Sequence, residues 1–332
     1  MRQNNQYSIS VIIPAYNEED VVASQVEEVR HVLTKYEISH EIIVVDDGST
    51  DYTTQKATMV GARLMHHPKN RGYGAAIKTG ILAAENEIIV IIDADKTYPA
   101  DQIPAMLALL DNADMVVGAR TGKDVHISWA RQPAKQFLRL LATRIAEQPI
   151  PDLNSGLRIF RRECVKQYFP ILSNRFSFTT TITLAYIADD YRVIYYPINY
   201  YARIGKSKIF PWHFMDFMIL ILRMSMMFNP LKVFVPLALF SGLLGILKVI
   251  YDILALFARS PHRDWTLLLQ PALSTSAVLL LFVGLQLLMI GMVADGLVRR
   301  IAQHNRPLVP SYGNIDYEAH YSKELEEHDI VS

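Results

Sequence analysis

A single cysteine, Cys164, stands among 332 residues. One thiol excludes an intramolecular disulfide and any cysteine-based zinc site, and it fits a reducing compartment. Charge of one sign is also lacking. The 33 Lys and Arg balance 33 Asp and Glu, so no global field points to nucleic acid as a partner. The glycine signatures of two large nucleotide-binding classes are missing too. A dinucleotide dehydrogenase would carry Gly-x-Gly-x-x-Gly after its first strand. That position holds Pro14-Ala15-Tyr16-Asn17-Glu18, and the later Gly72-x-Gly74 has Ile77 where the third glycine belongs. A P-loop is absent as well. The first apolar run, Ile9 to Pro14, is too short for a signal peptide and has no cleavage-like site. The N-terminal domain is therefore expected in the cytosol.

Long apolar runs are present, but only late in the chain. Leu267 to Ala294 contains no charged residue, which is enough to cross a bilayer needing about 20 residues. Val233 to Ala258 is as long but includes Lys248 and Asp252. These are i, i+4 partners that can pair on one helix face, so a locally paired couple is expected rather than an intramembrane polar site. With Arg259 to Trp265 between the runs, the two form a helical hairpin. Arg203, Lys206, Lys208, Arg223 and Lys232 precede it and Arg299, Arg300 and Arg306 follow, against Arg259 and Arg263 in the connection. That asymmetry puts the bulk of the protein and both termini on the cytosolic side, and a bacterial inner membrane is the expected location. Ile209–Phe228, with Phe210, Trp212 and Phe214 at one end, reads as a helix in the headgroup plane.

Strand and helix signals alternate through the first half. Strands are expected at Ser8–Pro14, Glu41–Val45, Arg63–His66, Glu87–Ile92, Asp114–Val117 and, later, Arg192–Pro197. Helices are expected at Glu18–Tyr36 (acidic residues in its first turn), Asp51–Val60, Gly74–Ala84 and Asp101–Leu110, and beyond them at Ala130–Glu147 and Phe178–Ala188. This alternation argues for a doubly wound, Rossmann-like α/β domain with a parallel sheet. The expected organisation is a cytosolic catalytic domain over 1–208 and an interfacial helix over 209–230. Transmembrane helices follow over 231–258 and 266–294, with a cytosolic tail over 295–332.

Four candidate sites fall at strand ends. Pro14-Ala15-Tyr16-Asn17-Glu18 offers an aromatic face and a carboxylate to a base or ribose. Asp46-Asp47-Gly48-Ser49 offers a carboxylate to a ribose or base N–H. Asn70-Arg71-Gly72-Tyr73-Gly74-Ala75-Ala76 opens a helix whose amides can approach a phosphate. The β-branched run Ile88 to Ile92 leads into Asp93-Ala94-Asp95, a hard-oxygen pair suited to Mg²⁺ or Mn²⁺ shared with substrate phosphates. Each alone reads equally as turn residues; four in order on one sheet edge do not. His66 and His67 are neighbours on a strand and face opposite ways, so they are read as structural.

In this order the motifs resemble inverting family 2 glycosyltransferases of the GT-A fold. Asp152-Leu153-Asn154-Ser155-Gly156-Leu157-Arg158, Phe160-Arg161-Arg162 and Arg203-Ile204-Gly205-Lys206-Ser207-Lys208 are similar to the polyprenyl-phosphate branch that includes dolichol-phosphate mannose synthase. The resemblance implies transfer of one sugar from a UDP- or GDP-linked donor to undecaprenyl or dolichyl phosphate at the cytosolic membrane face; a homo-oligomer is compatible with the sequence, which does not fix the oligomeric state. It assigns Pro14, Ala15, Tyr16, Glu18, Asp46, Gly72, Asp93 and Ala94 to the nucleotide-sugar. Asp93, Asp95 and Thr97 fall to the metal, with Thr97 standing where those synthases commonly have a glutamine ligand. Processive polysaccharide synthases share the motifs up to Asp93-Ala94-Asp95 but add a Gln-x-x-Arg-Trp segment, which is absent. A catalytically silent membrane scaffold would not need both aspartates.

Charge suggests the mechanism. A phosphate monoester acceptor has a second pKa of about 6 and is largely dianionic near neutrality, so no proton need be removed from the nucleophile. Cations must hold it, and forked guanidinium donors match phosphate oxygens. Arg120, Arg131, Arg203, Ser207 and Lys208 are the acceptor-phosphate candidates, each otherwise an ordinary surface group. Asp95, Asp152, Arg120 and Arg131 form the catalytic set. Asp152 is expected to orient sugar or arginine rather than act as a general base.

Overall fold

A computed structural model describes residues 7–122, 143, 149–175, 177–201, 219, 222, 225–226, 229–259 and 274–305. Among these, seven strands form one sheet in the order β3-β2-β1-β4-β6-β5-β7. The strands are β1 (Ser8–Ala15), β2 (Ser39–Asp46), β3 (Arg63–His66), β4 (Ile88–Ile91), β5 (Met115–Ala119), β6 (Arg158–Arg161) and β7 (Val193–Pro197). The helices are α1 (Val22–Lys35), α2 (Thr53–Met59), α3 (Tyr73–Ala83), α4 (Ile103–Leu109), α5 (Arg162–Lys166), α6 (Phe178–Ala188), α7 (Leu231–Arg259) and α8 (Thr275–Asn305).

The sheet is mixed, which corrects the all-parallel expectation. β6 runs antiparallel to both β4 and β5, with Ile91 opposite Arg158. Its two arginines hide it from an apolar-run search, yet Arg158 is fully buried. β4 is covered on both faces, which explains its unbroken apolar run. Ile88, Val90 and Ile92 pack with Val26 and Val29 of α1, whereas Ile89 and Ile91 pack with Ile77 of α3 and Ile182 of α6.

The first helix starts at Val22, not Glu18, so its first turn holds no acidic residue. Asn17 takes a left-handed backbone (φ 52°), and its side chain accepts from Thr50 N–H. Glu18 N–H donates to Thr53 Oγ1 and Glu19 N–H to Asp51 Oδ2. These bonds tie the 17–19 side chains and amides to the start of α2, while the Glu18 carbonyl accepts from Val21 and Val22 N–H at the start of α1, and this loop stands at the C-terminal end of β1.

Helices α7 and α8 are long and apolar enough to cross a membrane, with mean hydropathies of 2.3 and 2.5 over Leu231–Leu256 and Thr275–Val298. Only 17% of the most apolar 18-residue window in each is buried, so most of their apolar surface is left uncovered by the protein, as in a membrane-spanning pair. They pack closely: Gly284 lies against the Ala238 carbonyl and the Gly242 backbone, and Ser241 Oγ donates to Leu280 O (2.8 Å). Lys248 pairs with Asp252 (2.5 Å) as the spacing suggests. Asp252 also accepts from Ser274 N–H and Oγ. Ser274 caps α8, receiving the Ala277 N–H, so that helix begins at Thr275, later than the onset of the charge-free run. The expected helices at 130–147 and 209–228 lie almost wholly outside the described residues, as do the tail beyond 305 and residues 260–273.

Candidate active site

Parallel strands deliver their exit loops to one side of a sheet. Here the exits of β1, β2 and β4 and the loop before α3 enclose a cleft of about 280 Å³. Pro14, Ala15, Tyr16 and Glu18 form one wall; Asn70, Gly72, Tyr73 and Ala76 form another. Asp47, Asp93, Ala94 and Asp95 complete it. The structure therefore brings together every nucleotide and metal candidate except Asp46 and Thr97.

Those two exceptions have physical reasons. Adjacent strand residues face opposite ways, so only one of Asp46 and Asp47 can face the cleft. Asp46 is fully buried and accepts from Ser49 N–H (2.9 Å), Thr54 Oγ1 and His66 Nδ1. Burial alone would raise its pKa, but these hydrogen bonds outweigh it and hold the carboxyl below its ordinary value. Asp47 is the one on the cleft. It accepts from His67 Nδ1 (2.6 Å), Arg71 N–H (2.9 Å) and Gly72 N–H (2.7 Å). His67 also meets Thr79 Oγ1, so both histidines serve carboxylates. Among the described residues no group of three or more His, Cys, Asp or Glu could hold a metal by itself.

Thr97 is likewise fully buried and stands behind Asp95. Its hydroxyl donates to Asp95 Oδ1 (2.6 Å), and its N–H reaches the same oxygen (3.2 Å). The hydroxyl aims the carboxylate instead of lining the cleft. Asp93 is held from two sides. Tyr73 OH donates to its Oδ1 (2.8 Å), and Gly156 backs onto the carboxylate so closely that any Cβ there would collide with it. Burial, and then the charge of Asp93, push the Tyr73 phenol well above its usual pKa, so it stays a donor. Two carboxylates aimed into one cleft, with the space beside Asp93 kept clear by a glycine, fit a hard divalent cation completed by substrate oxygens.

The loop before α3 is used differently from expectation. Arg71 and Gly72 N–H go to Asp47, Ala75 N–H is shared by Gly72 O and Asn174 O, and Ala76 N–H goes to Gly72 O. Those amides are spent on the protein and do not cradle a phosphate.

The second half of the site comes from the lead-in to β6. Being antiparallel, β6 begins at the side where β4 ends. Arg120 Nε donates to Asp152 Oδ2 (2.6 Å) and Nη2 to Oδ1 (2.7 Å), with Arg120 N–H also on Oδ2 (3.1 Å). Both side chains are more than nine-tenths buried. The guanidinium sits 5.1 Å from the Tyr200 ring centre, and Tyr200 packs edge-on against Tyr98. Tyr98 OH accepts from Gly156 N–H (2.7 Å). Burial and the neighbouring Asp93 and Asp152 raise its pKa, against the pull of Arg120. Arg158 anchors the loop, donating to Ser155 O, Leu153 O and Thr183 Oγ1. Tyr98 and Tyr200 are thus site residues outside every sequence motif, whereas Asp47, Asn70, Tyr73 and Gly156 stand inside the motifs without being singled out there. Arg131, Arg203, Ser207 and Lys208 lie outside the described residues.

Comparison with known proteins agrees with this architecture. Residues 10–169 match the glycosyl transferase family 2 model, and residues 229–299 match the GtrB C-terminal hairpin. An undecaprenyl-phosphate 4-deoxy-4-formamido-L-arabinose transferase of Proteus mirabilis is 29% identical over 199 residues, covering 55% of this chain and 61% of that protein. A transferase of the same name from Edwardsiella ictaluri is 25% identical over 304 residues, covering 86% and 87%. A dolichyl-phosphate beta-glucosyltransferase of Trichomonas vaginalis is 29% identical, covering 60% and 65%. The match thus spans less than two thirds of the Proteus and Trichomonas proteins. Glucosyl-3-phosphoglycerate synthase of Mycobacterium tuberculosis, solved with Mn²⁺, UDP-glucose and phosphoglyceric acid, shares the fold. Its TM-score is 0.54 at 20% identity, covering 66% of this chain and 80% of that one.

Proposed function

This chain belongs to glycosyltransferase family 2, and from that premise we propose that it moves one sugar from a UDP- or GDP-linked donor to a polyprenyl phosphate, with inversion, at the cytosolic membrane face. The observation that carries the acceptor class is the Arg120–Asp152 pair. A sugar hydroxyl would need a carboxylate base, but both Asp152 oxygens are engaged by one guanidinium. The remaining cleft carboxylates, Glu18, Asp47, Asp93 and Asp95, stand on the donor side. A phosphate dianion needs no base. The apolar hairpin and the relatives' names support a lipid acceptor. That hairpin also favours this reading over a processive synthase.

In this reading Tyr16 and Glu18 bind the nucleoside, while Asp93 and Asp95 would hold Mg²⁺ or Mn²⁺. When bound, the cation would supply charge neutralisation for the departing nucleoside diphosphate. Thr97 and Tyr73 keep the two carboxylates aimed. A lipid phosphate oxygen attacks the anomeric carbon as the bond from that carbon to the diphosphate oxygen breaks. One displacement inverts the centre, and no proton moves. Asp152 holds Arg120 charged and oriented toward the acceptor side, where Arg131, Arg203, Ser207 and Lys208 are proposed to add cations and a hydroxyl.

The test incubates membranes carrying the full chain with labelled UDP- and GDP-sugars, undecaprenyl or dolichyl phosphate, and Mg²⁺ or Mn²⁺. An organic-soluble labelled lipid is expected, and it should disappear with Asp93→Asn or Asp95→Asn. No labelled lipid with any common donor would overturn the proposal.

A further inference from the structure

The charged side chains that line the cleft, Glu18, Asp47, Asp93 and Asp95, are all carboxylates. A nucleotide-sugar brings a dianionic diphosphate into that acidic setting. One divalent cation answers the two aspartates, and four amides of the loop before α3 and of its first turn (Arg71, Gly72, Ala75 and Ala76) are already committed within the protein. A further cation is needed beside the diphosphate.

The chain supplies one from more than a hundred residues away. The loop Ser173–Arg175 crosses directly over the start of α3. Asn174 O accepts from Ala75 N–H (2.9 Å). A Cβ on Gly72 would come within 2.5 Å of Asn174 O, and one on Gly74 would strike Ser173 O. Lys78 pins the loop from α3 by donating to Leu172 O (2.5 Å), Asn174 Oδ1 (2.9 Å) and Phe169 O (3.2 Å). Arg175 N–H closes the turn on Ser173 Oγ (3.0 Å). The Cα and Cγ of Arg175 then lie 3.3 Å from where a Gly72 Cβ would be, and Gly72 is a wall of the cleft. Arg175 is exposed. Arg63, Arg120 and Arg161 each have a carboxylate, whereas Arg175 makes no ion pair among the described residues.

We infer that Arg175 is the protein's own cation for the donor diphosphate, carried to the cleft by the 173–175 loop and admitted there because residue 72 has no side chain. The inference rests on the donor being a nucleotide-sugar. It also gives Gly72 a second reason to be glycine beyond its φ of +101°.

The test measures binding of UDP, UMP and uridine, and of GDP, GMP and guanosine, to the full-length protein with Mn²⁺. The lipid-phosphate KM is measured in parallel. Arg175→Gln should weaken the nucleoside diphosphate by about 10- to 100-fold, the range for a lost charge-assisted hydrogen bond. Nucleoside affinity and the lipid KM should stay as in wild type, and Arg175→Lys should recover part of the loss. Lys35→Gln, an exposed cation at the far end of α1, should change nothing. Unchanged diphosphate affinity, an equal loss of nucleoside, or a raised lipid KM alone would each overturn the Arg175 assignment while leaving the glycosyltransferase reading intact. If the wild-type protein binds neither UDP nor GDP, the donor reading itself falls, and this inference with it.

Discussion

Arg120 and Asp152 meet edge to edge through two parallel hydrogen bonds of 2.6 and 2.7 Å, in a pocket that leaves each less than a tenth exposed. Such a pair is a positioning device. Asp152→Asn keeps one acceptor and should leave measurable turnover, with donor affinity unchanged and no ionisation lost from the pH–rate profile. Asp152→Ala strands a buried guanidinium and should cost about 3–5 kcal/mol of stability, read by urea denaturation. Near-total loss of turnover in the asparagine variant, with donor binding intact, would instead make Asp152 a base.

Gly156 is where the two halves of the site touch. Gly156→Ala puts a methyl into the Asp93 carboxylate. We expect a folded protein whose Mn²⁺-dependent binding of nucleoside diphosphate drops at least about tenfold, since displacing a metal ligand's support costs about that much. Metal titration of wild type and variant compares the two, and equal metal affinities would refute the expected clash.

Thr97 aims Asp95 through its hydroxyl. Thr97→Val removes the donor at nearly constant shape and should lower metal affinity about 10-fold. Thr97→Ser should stay close to wild type. If the serine variant fails as badly as the valine variant, packing and not the hydroxyl carries the effect.

Asp46 links the fold to acid. Unfolded, it would hold its proton up to its ordinary value of 3.8; folded, its pKa is lower. Its stabilisation is therefore complete above about pH 5 and is lost as pH falls through the depressed folded value. Wild type should lose more stability than Asp46→Asn between neutral pH and pH 3, as measured by denaturant midpoints. Equal losses would show that Asp46 contributes nothing to acid sensitivity.

Much of this was legible from residue order because the parallel half of the sheet is local. Ile88 to Ile92 alternates between two buried faces, and each strand ends in a motif that lines the cleft. What stayed hidden depends on chain folded back from far away. Asp46 and Asp47 look equivalent until the pleat decides which one faces inward. The Asn70–Ala76 loop has the composition of a phosphate cradle, and only the distant Asn174 carbonyl, together with Asp47, reveals that its amides are taken. β6 begins and ends in arginine, and Arg158 can be buried because Leu153, Ser155 and Thr183 furnish its acceptors. No periodicity announces that.

The placement of β6 also sets an order of assembly. It inserts between β4 and β5, although β5 precedes it in the chain, so the sheet cannot zip up in the sequence of synthesis. β5 gains its link to the β4 side only when residues 158–161 arrive, after the long intervening excursion has been closed at its entropic cost. Until then Asp93 lacks the backing of Gly156, and Arg120 lacks Asp152. The strand that locks the domain together is thus the one that finishes the cleft, so a chain with a competent active site is one whose sheet is already closed.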